Sequence, residues 1–117
     1  MTYVRVMTGM LVRDPNGRTG IVFERRERPA EGWIKDQENV EAIRHLPRNT
    51  TWWSVLPLTG GLVIIPEPML EVLRPAAYED FLAAVDGANI AGRKYLALIF
   101  PEYVDRIITE RQASGSK

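Results

Sequence analysis

The chain has no cysteine and a single histidine. Disulfides and thiolate metal sites are therefore excluded, and His45 has no second histidine or cysteine with which to share a metal ion. No apolar run approaches the ~18 residues that a membrane-spanning helix needs. The N-terminal stretch MTYVRVMTGM lacks the basic region and apolar core of a secretory leader, so a cytoplasmic location is the default expectation. An excess charge of one sign is missing too. Fifteen basic residues balance 15 acidic ones, and no global field points to nucleic acid. What is present is an apolar content of 45% in 117 residues, enough for one compact domain with its own core.

The organising stretch is Thr51 to Arg74. Thr50, Thr51, Trp52, Trp53 and Val55 are residue types that suit a pleated, half-buried strand. Side chains alternate along a strand, so Trp53 shares a face with Val55 and belongs in the core, while Trp52 falls on the outer face. Gly60-Gly61 supplies a hairpin turn, and Leu62-Val63-Ile64-Ile65 reads as a strand covered on both faces. Pro66 and Pro68 end it, a 3₁₀ turn fits Glu67 to Leu70, and a last short strand fits Glu71 to Arg74. Upstream, Met7 to Asp14 and Thr19 to Phe23 form an antiparallel pair about the turn Asp14-Pro15-Asn16-Gly17. Gly9 and Gly20, at the edges of that hairpin, mark bends or bulges.

Between the two sheet halves lies a polar insertion, Glu24 to Asn49, far longer than the ~2–5 residues of an ordinary hairpin loop. Pro29-Ala30-Glu31-Gly32 has the composition of open loop. Asp36 suits a helix N-cap, followed by Val40, Ile43 and Leu46 at three-residue spacing and stopped by Pro47. The C-terminal third is helical in pattern. Pro75 suits a first helical position, Tyr78, Phe81, Leu82 and Val85 form an apolar stripe, and Asp86-Gly87 ends it. A second helix is expected from Ala88 or Asn89 to Phe100, although the run YLALIF would also fit a buried strand. A third begins at Pro101, and Ala113 to Lys117 is expected to fray.

The segments GMLVRDPNGRTGIVF, WWSVLPLTGGLVIIP and PEPMLEVLR together resemble an SH3-like β-barrel of the KOW-type small-barrel kind. The resemblance implies strand, turn, strand, long loop, strand, hairpin, strand, 3₁₀ turn and strand, and it implies no activity. The expected fold class is α+β: a five-stranded SH3-like barrel over residues 1–74 with a charged loop at about 24–49. Helices over 75–113 pack on the barrel, and 114–117 form a flexible tail. In signalling SH3 domains, which the twin tryptophans resemble, an exposed Trp lines a peptide groove, and Trp52 is the residue that would do so here. The chain lacks the ALYDY-like strand that accompanies such a groove. The apolar strand beside Trp52 favours instead its burial under the C-terminal helices.

Chemistry for catalysis is thin. His45 suits a surface position, and Glu67, Glu71, Glu79 and Asp80 have nothing to fix them as an acid/base pair. Glu79 and Asp80 suit the polar face of a helix start. Gly60-Gly61 precedes a strand, whereas a phosphate loop needs a helix there. No metal and no cofactor is expected. The expected function is a non-enzymatic interaction module or adaptor binding a protein partner through the charged loop and the Trp52 region. Its candidate contacts are Trp52, Trp33, Arg25, Arg26, Arg28, Arg44 and Arg48. A second reading gives the same arginines a nucleic acid, with phosphates paired by guanidinium groups and bases stacked on the tryptophans, though interspersed acids cancel most of the field. A third is a small enzyme with its site at an oligomer interface. Tyr103, Val104, Ile107 and Ile108 form a stripe that serves either the chain's own core or a homodimer.

Overall fold

The computed structural model describes residues 5–37, 40–58 and 61–115. Five strands, β1 (Met10–Arg13), β2 (Thr19–Arg26), β3 (Trp52–Pro57), β4 (Val63–Pro66) and β5 (Glu71–Pro75), form one antiparallel sheet in the order β4-β3-β2-β1-β5. A 3₁₀ turn, Glu67–Met69, joins β4 to β5. The long connection between β2 and β3 carries two short helices, α1 (Glu31–Ile34) and α2 (Val40–Arg44). Three further helices follow the sheet: α3 (Tyr78–Gly87), α4 (Ile90–Ile99) and α5 (Pro101–Gly115). The fold is α+β, but the sheet is not closed into the expected barrel. β4 and β5 are its two edges, each paired on one side only.

The β1–β2 turn forms because Asp14 satisfies it from within. Its Oδ1 accepts from the backbone N–H groups of Asn16 and Arg18, both at 2.9 Å, and its Oδ2 accepts from Arg18 Nε at 2.9 Å. Gly17 then takes φ +82°, a conformation costly for any residue with a Cβ. Gly20 serves a different purpose from the expected bend. A Cβ there would stand 2.7 Å from the Leu56 carbonyl oxygen, so the glycine is what lets β2 and β3 close up. Between Val22 and Glu24, β2 advances by two residues while β3 advances by one, from Val55 to Ser54. Phe23 faces the helical side by ordinary alternation with Ile21, and the bulge turns Glu24 to that side as well.

The sheet's two faces build different cores. On one, Val12, Val22, Trp53 and Val55 pack with Val6 and the half-buried Met10, Val63, Leu70 and Val72. All five strands thus contribute to a cluster with no helix over it, which requires a strongly curled sheet. Trp53 donates its indole N–H to Glu67 at 2.9 Å, which gives that carboxylate a structural task. On the other face Leu11, Ile21, Phe23 and Leu56 meet Phe81, Ala84, Ala88, Leu96 and Ile107 of the helical layer. Phe81 stacks on Tyr103 at 3.9 Å between centroids and meets Phe100 edge-on at 4.9 Å. Tyr103 and Ile107 are therefore parts of this chain's own core, with Val104 packed against it, and only Ile108 of the expected self-association stripe is exposed. Three helices are not too many for the sheet, because α5 packs mainly on α3 and α4.

Other expectations need correction. Pro75 ends β5 rather than starting a helix. Glu31 and Gly32, expected in open loop, belong to the helix Glu31–Ile34, and of the helix expected from Asp36 the described part is Val40–Arg44, with Asp36 and Gln37 outside it. YLALIF is helix, capped at its start by Asn89, whose side chain accepts from Gly92 N–H at 2.8 Å. Helix α5 continues through Ala113 to Gly115, where fraying was expected. Strand β4 is an edge of the sheet, yet its apolar run meets neighbours on both faces: Leu62 packs on the helical-side core, Val63 on the opposite one and Ile64 against the Trp52 cluster. Gly60 of the turn, Glu38 of the loop and Ser116 and Lys117 of the tail lie outside the described residues.

Asp80 departs most from its expected solvated place. It is buried, takes a two-pronged ion pair from Arg74 at 2.6 and 3.0 Å, and accepts the Ala77 N–H at 2.7 Å. The Arg74 guanidinium and the Ala77 N–H hold its carboxyl below the usual range against the opposing effect of burial. Stability from this pair is complete above the unfolded carboxylate pKa and is lost as pH falls through the lower folded value. Asp80→Asn is expected to cost about 1–3 kcal/mol at neutral pH. Urea unfolding should show the gap between wild type and variant closing as the solution is taken below about pH 4.

Candidate functional site

Strands β2 and β3 stay paired as far as Arg26 opposite Trp52. Beyond that rung the backbone diverges into the insertion, and the last residues on each side line an open cleft of about 600 Å³. Arg25, Arg26, Glu27 and Arg28 come from the β2 side, and Arg48, Asn49, Thr50 and Thr51 from the approach to β3. Four guanidinium groups against one carboxylate give the lining a net positive charge. Its neutral members add hydroxyl and amide donors suited to oxygen-bearing anions.

The arginines are not equivalent. Arg25 and Arg48 are exposed and form no ion pair with a described residue, and Arg25 has only a loose 3.5 Å bond to the Thr51 hydroxyl. Arg28 is tucked in, with one fifth of its side chain exposed, and donates from Nη2 to Glu31 at 2.9 Å. That hydrogen bond, with help from Arg44 and Arg48, holds the Glu31 carboxyl below its ordinary pKa. Arg26 is fixed from the helical side. Its Nη2 donates to the Tyr95 hydroxyl at 2.8 Å, and that hydroxyl in turn donates to Glu24. Burial, with the Glu24 carboxylate beside it, pushes the Tyr95 phenol above its ordinary value, and Arg26 opposes the shift. Arg44 stands outside the cleft and pairs with Glu41 at 3.6 Å.

The tryptophans are elsewhere. Trp52 is fully buried, covered by Ile34 and Ile43 and met edge-on by Trp33 at 6.2 Å. Its cover is thus the insertion, neither solvent nor the C-terminal helices. As it stands, Trp52 presents no surface to a partner. Trp33 is half-buried and faces a second hollow, of about 420 Å³, along β4 and the β1–β2 turn. His45 is exposed on the insertion. Among the described residues, no three His, Cys, Asp or Glu side chains cluster as metal ligands would. No helix among them is long and apolar enough to cross a membrane.

Among the described residues, three buried donors have no hydrogen-bond partner: Arg26 Nε, Arg28 Nη1 and Trp52 Nε1. All three belong to residues at the roots of the insertion or beneath it. Each costs about 1–3 kcal/mol, which offsets most of the ~2–3 kcal/mol gained by burying a ring such as that of Trp52. The insertion is therefore the least satisfied part of the fold.

No family model, curated protein or solved structure matches the chain. The site is thus read on its geometry alone. Sequence reasoning placed Arg25, Arg26, Arg28 and Arg48 together, and the structure brings these four to one opening. It missed Tyr95, which lies 69 residues from Arg26 along the chain and carries no local signal. Tyr95→Phe removes the hydroxyl that links Glu24 and Arg26, and should cost about 1–2 kcal/mol in chemical unfolding. The same change should remove a component titrating above the ordinary tyrosine range from the alkaline absorbance titration.

Proposed function

We propose that the chain is a small non-enzymatic interaction module that holds an acidic segment of a protein partner in the arginine-lined cleft. The observation carrying this is the convergence of Arg25, Arg26, Arg28 and Arg48 on one opening, two of them free of ion pairs with described residues. A planar guanidinium matches a carboxylate with two parallel hydrogen bonds, and the hydroxyls of Thr50 and Thr51 add donors of the same use. A nucleic acid fits less well. The cleft is one short opening rather than a basic stripe, and the chain has no net charge.

We read the sheet as an open variant of the SH3-like architecture. Support comes from the element order, with a long insertion between β2 and β3 and a 3₁₀ turn between β4 and β5. The curled face on which all five strands share one apolar cluster points the same way. In this arrangement the cleft sits at the mouth of the inserted loop, where length and charge can vary without disturbing the sheet.

Arg25→Ala combined with Arg48→Ala removes two exposed side chains that no part of the core uses. Anisotropy titrations with a labelled oligoglutamate peptide should show binding by the wild type, falling at least about tenfold in the double variant. A single-stranded oligonucleotide of matched charge should bind more weakly. Tighter, arginine-dependent oligonucleotide binding would transfer the cleft to nucleic acid, and absence of binding by either probe would remove its role altogether.

A further inference from the structure

Among the described carboxylates of the insertion, Glu31 is the one that touches Arg28, and it does so from outside the cleft lining, with 65% of its side chain exposed. It satisfies Nη2 of that guanidinium and leaves Nη1 buried without a partner. A free carboxylate approaching in the plane of the group would satisfy both. Glu31 is also the first residue of α1, and α1 carries Trp33 and Ile34, which cover Trp52 together with Ile43 of α2. Pulling Glu31 away from Arg28 therefore loosens the element whose withdrawal uncovers Trp52, whose own N–H is orphaned beneath it.

Helix α1 is lightly held. It has four residues, and its N-cap is Ala30, which has no side-chain oxygen to bond the first N–H groups. Its backbone bonds are Trp33 N–H and Ile34 N–H to Ala30 at 3.0 and 3.1 Å and Lys35 N–H to Glu31 at 3.0 Å, followed by Asp36 N–H to Trp33 at 3.3 Å and Gln37 N–H to Ile34 at 3.1 Å, with the Gln37 side chain also donating to the Trp33 carbonyl at 3.1 Å. A helix this short has no stability of its own, so α1 persists through Trp33, Ile34 and the Glu31–Arg28 pair.

We propose that the partner segment bears apolar side chains beside its carboxylates, displaces Glu31 from Arg28, lifts α1 and completes its binding surface on Trp52. This rests on the cleft being the partner site. Charge complementarity selects the occupant. Arginines 25, 28 and 48 take the carboxylates, and the uncovered ring, with Ile64 and Met69 of the same cluster, takes the apolar groups. Glu31 is then an internal competitor. Apparent affinity is reduced in proportion to the fraction of molecules in which Glu31 holds Arg28.

The test uses the full chain and a synthetic peptide alternating Glu and Leu, with wild type, Glu31→Gln and the Arg25→Ala, Arg48→Ala double variant. Glu31→Gln is expected to bind the peptide several-fold more tightly than wild type. Loss of a repelling charge would tighten binding too, so the deciding readout is amide exchange. In the complex, the N–H groups of Ile34 and Lys35 should exchange faster than in the free protein. Equal affinity of Glu31→Gln and wild type, or α1 exchange that is unchanged or slower, overturns the displacement. In that case, continued weakening by the double variant would leave the cleft as the site of the closed form. If the double variant binds as wild type does, the cleft and the displacement fall together.

Discussion

The extra residue in β2 decides how the two layers meet. Regular alternation already places Phe23 beside Ile21 on the helical face and would send Glu24 to the other; the bulge brings Glu24 to the helices as well. Phe23 then stacks on Tyr95 at 5.5 Å and meets Phe100 at 5.4 Å, which sets where α4 and its C-terminal end lie on the sheet. Glu24 takes the Tyr95 hydroxyl, and Arg26, two residues on, donates to the same oxygen. The placement of a cleft arginine against the helical layer thus follows from one local irregularity. The helical layer supports one wall of the arginine-lined cleft as well as covering the sheet.

Local chemistry was legible and long-range chemistry was not. Asp14 to Gly17 could be read as a turn because its hydrogen bonds close within five residues. The 3₁₀ turn at Glu67–Met69 and the break at Gly87 are punctuated by proline and glycine in the same local way. Alternation correctly put Trp53 in the curled core with Val55. It could not say what covers Trp52, because that depends on where the insertion folds back. Asp80 had the composition of a solvated helix start, and only the approach of Arg74 from the end of β5 makes it a buried anchor.

The cleft shows the same division. Its arginines are close in sequence or joined by the β2–β3 pairing, so their grouping follows from the hairpin geometry. Their separate states follow from contacts the chain makes at a distance. Arg26 is tied to α4, Arg28 to α1, and Arg25 and Arg48 are left to solvent. A row of similar residues has become two anchored and two unengaged groups, and the difference lies in the neighbours that the fold supplies.

An open sheet carries a hazard that a closed one avoids, since each edge strand is a template for a foreign strand. Here both edges are cut short. β4 has four residues and ends at Pro66; β5 has five and ends at Pro75. Proline offers no N–H, and Pro68 interrupts the segment between them. An invading chain would find only a few peptide groups to pair with before the register broke. The prolines that read as punctuation in the sequence thus also limit how far either open edge could template a foreign strand.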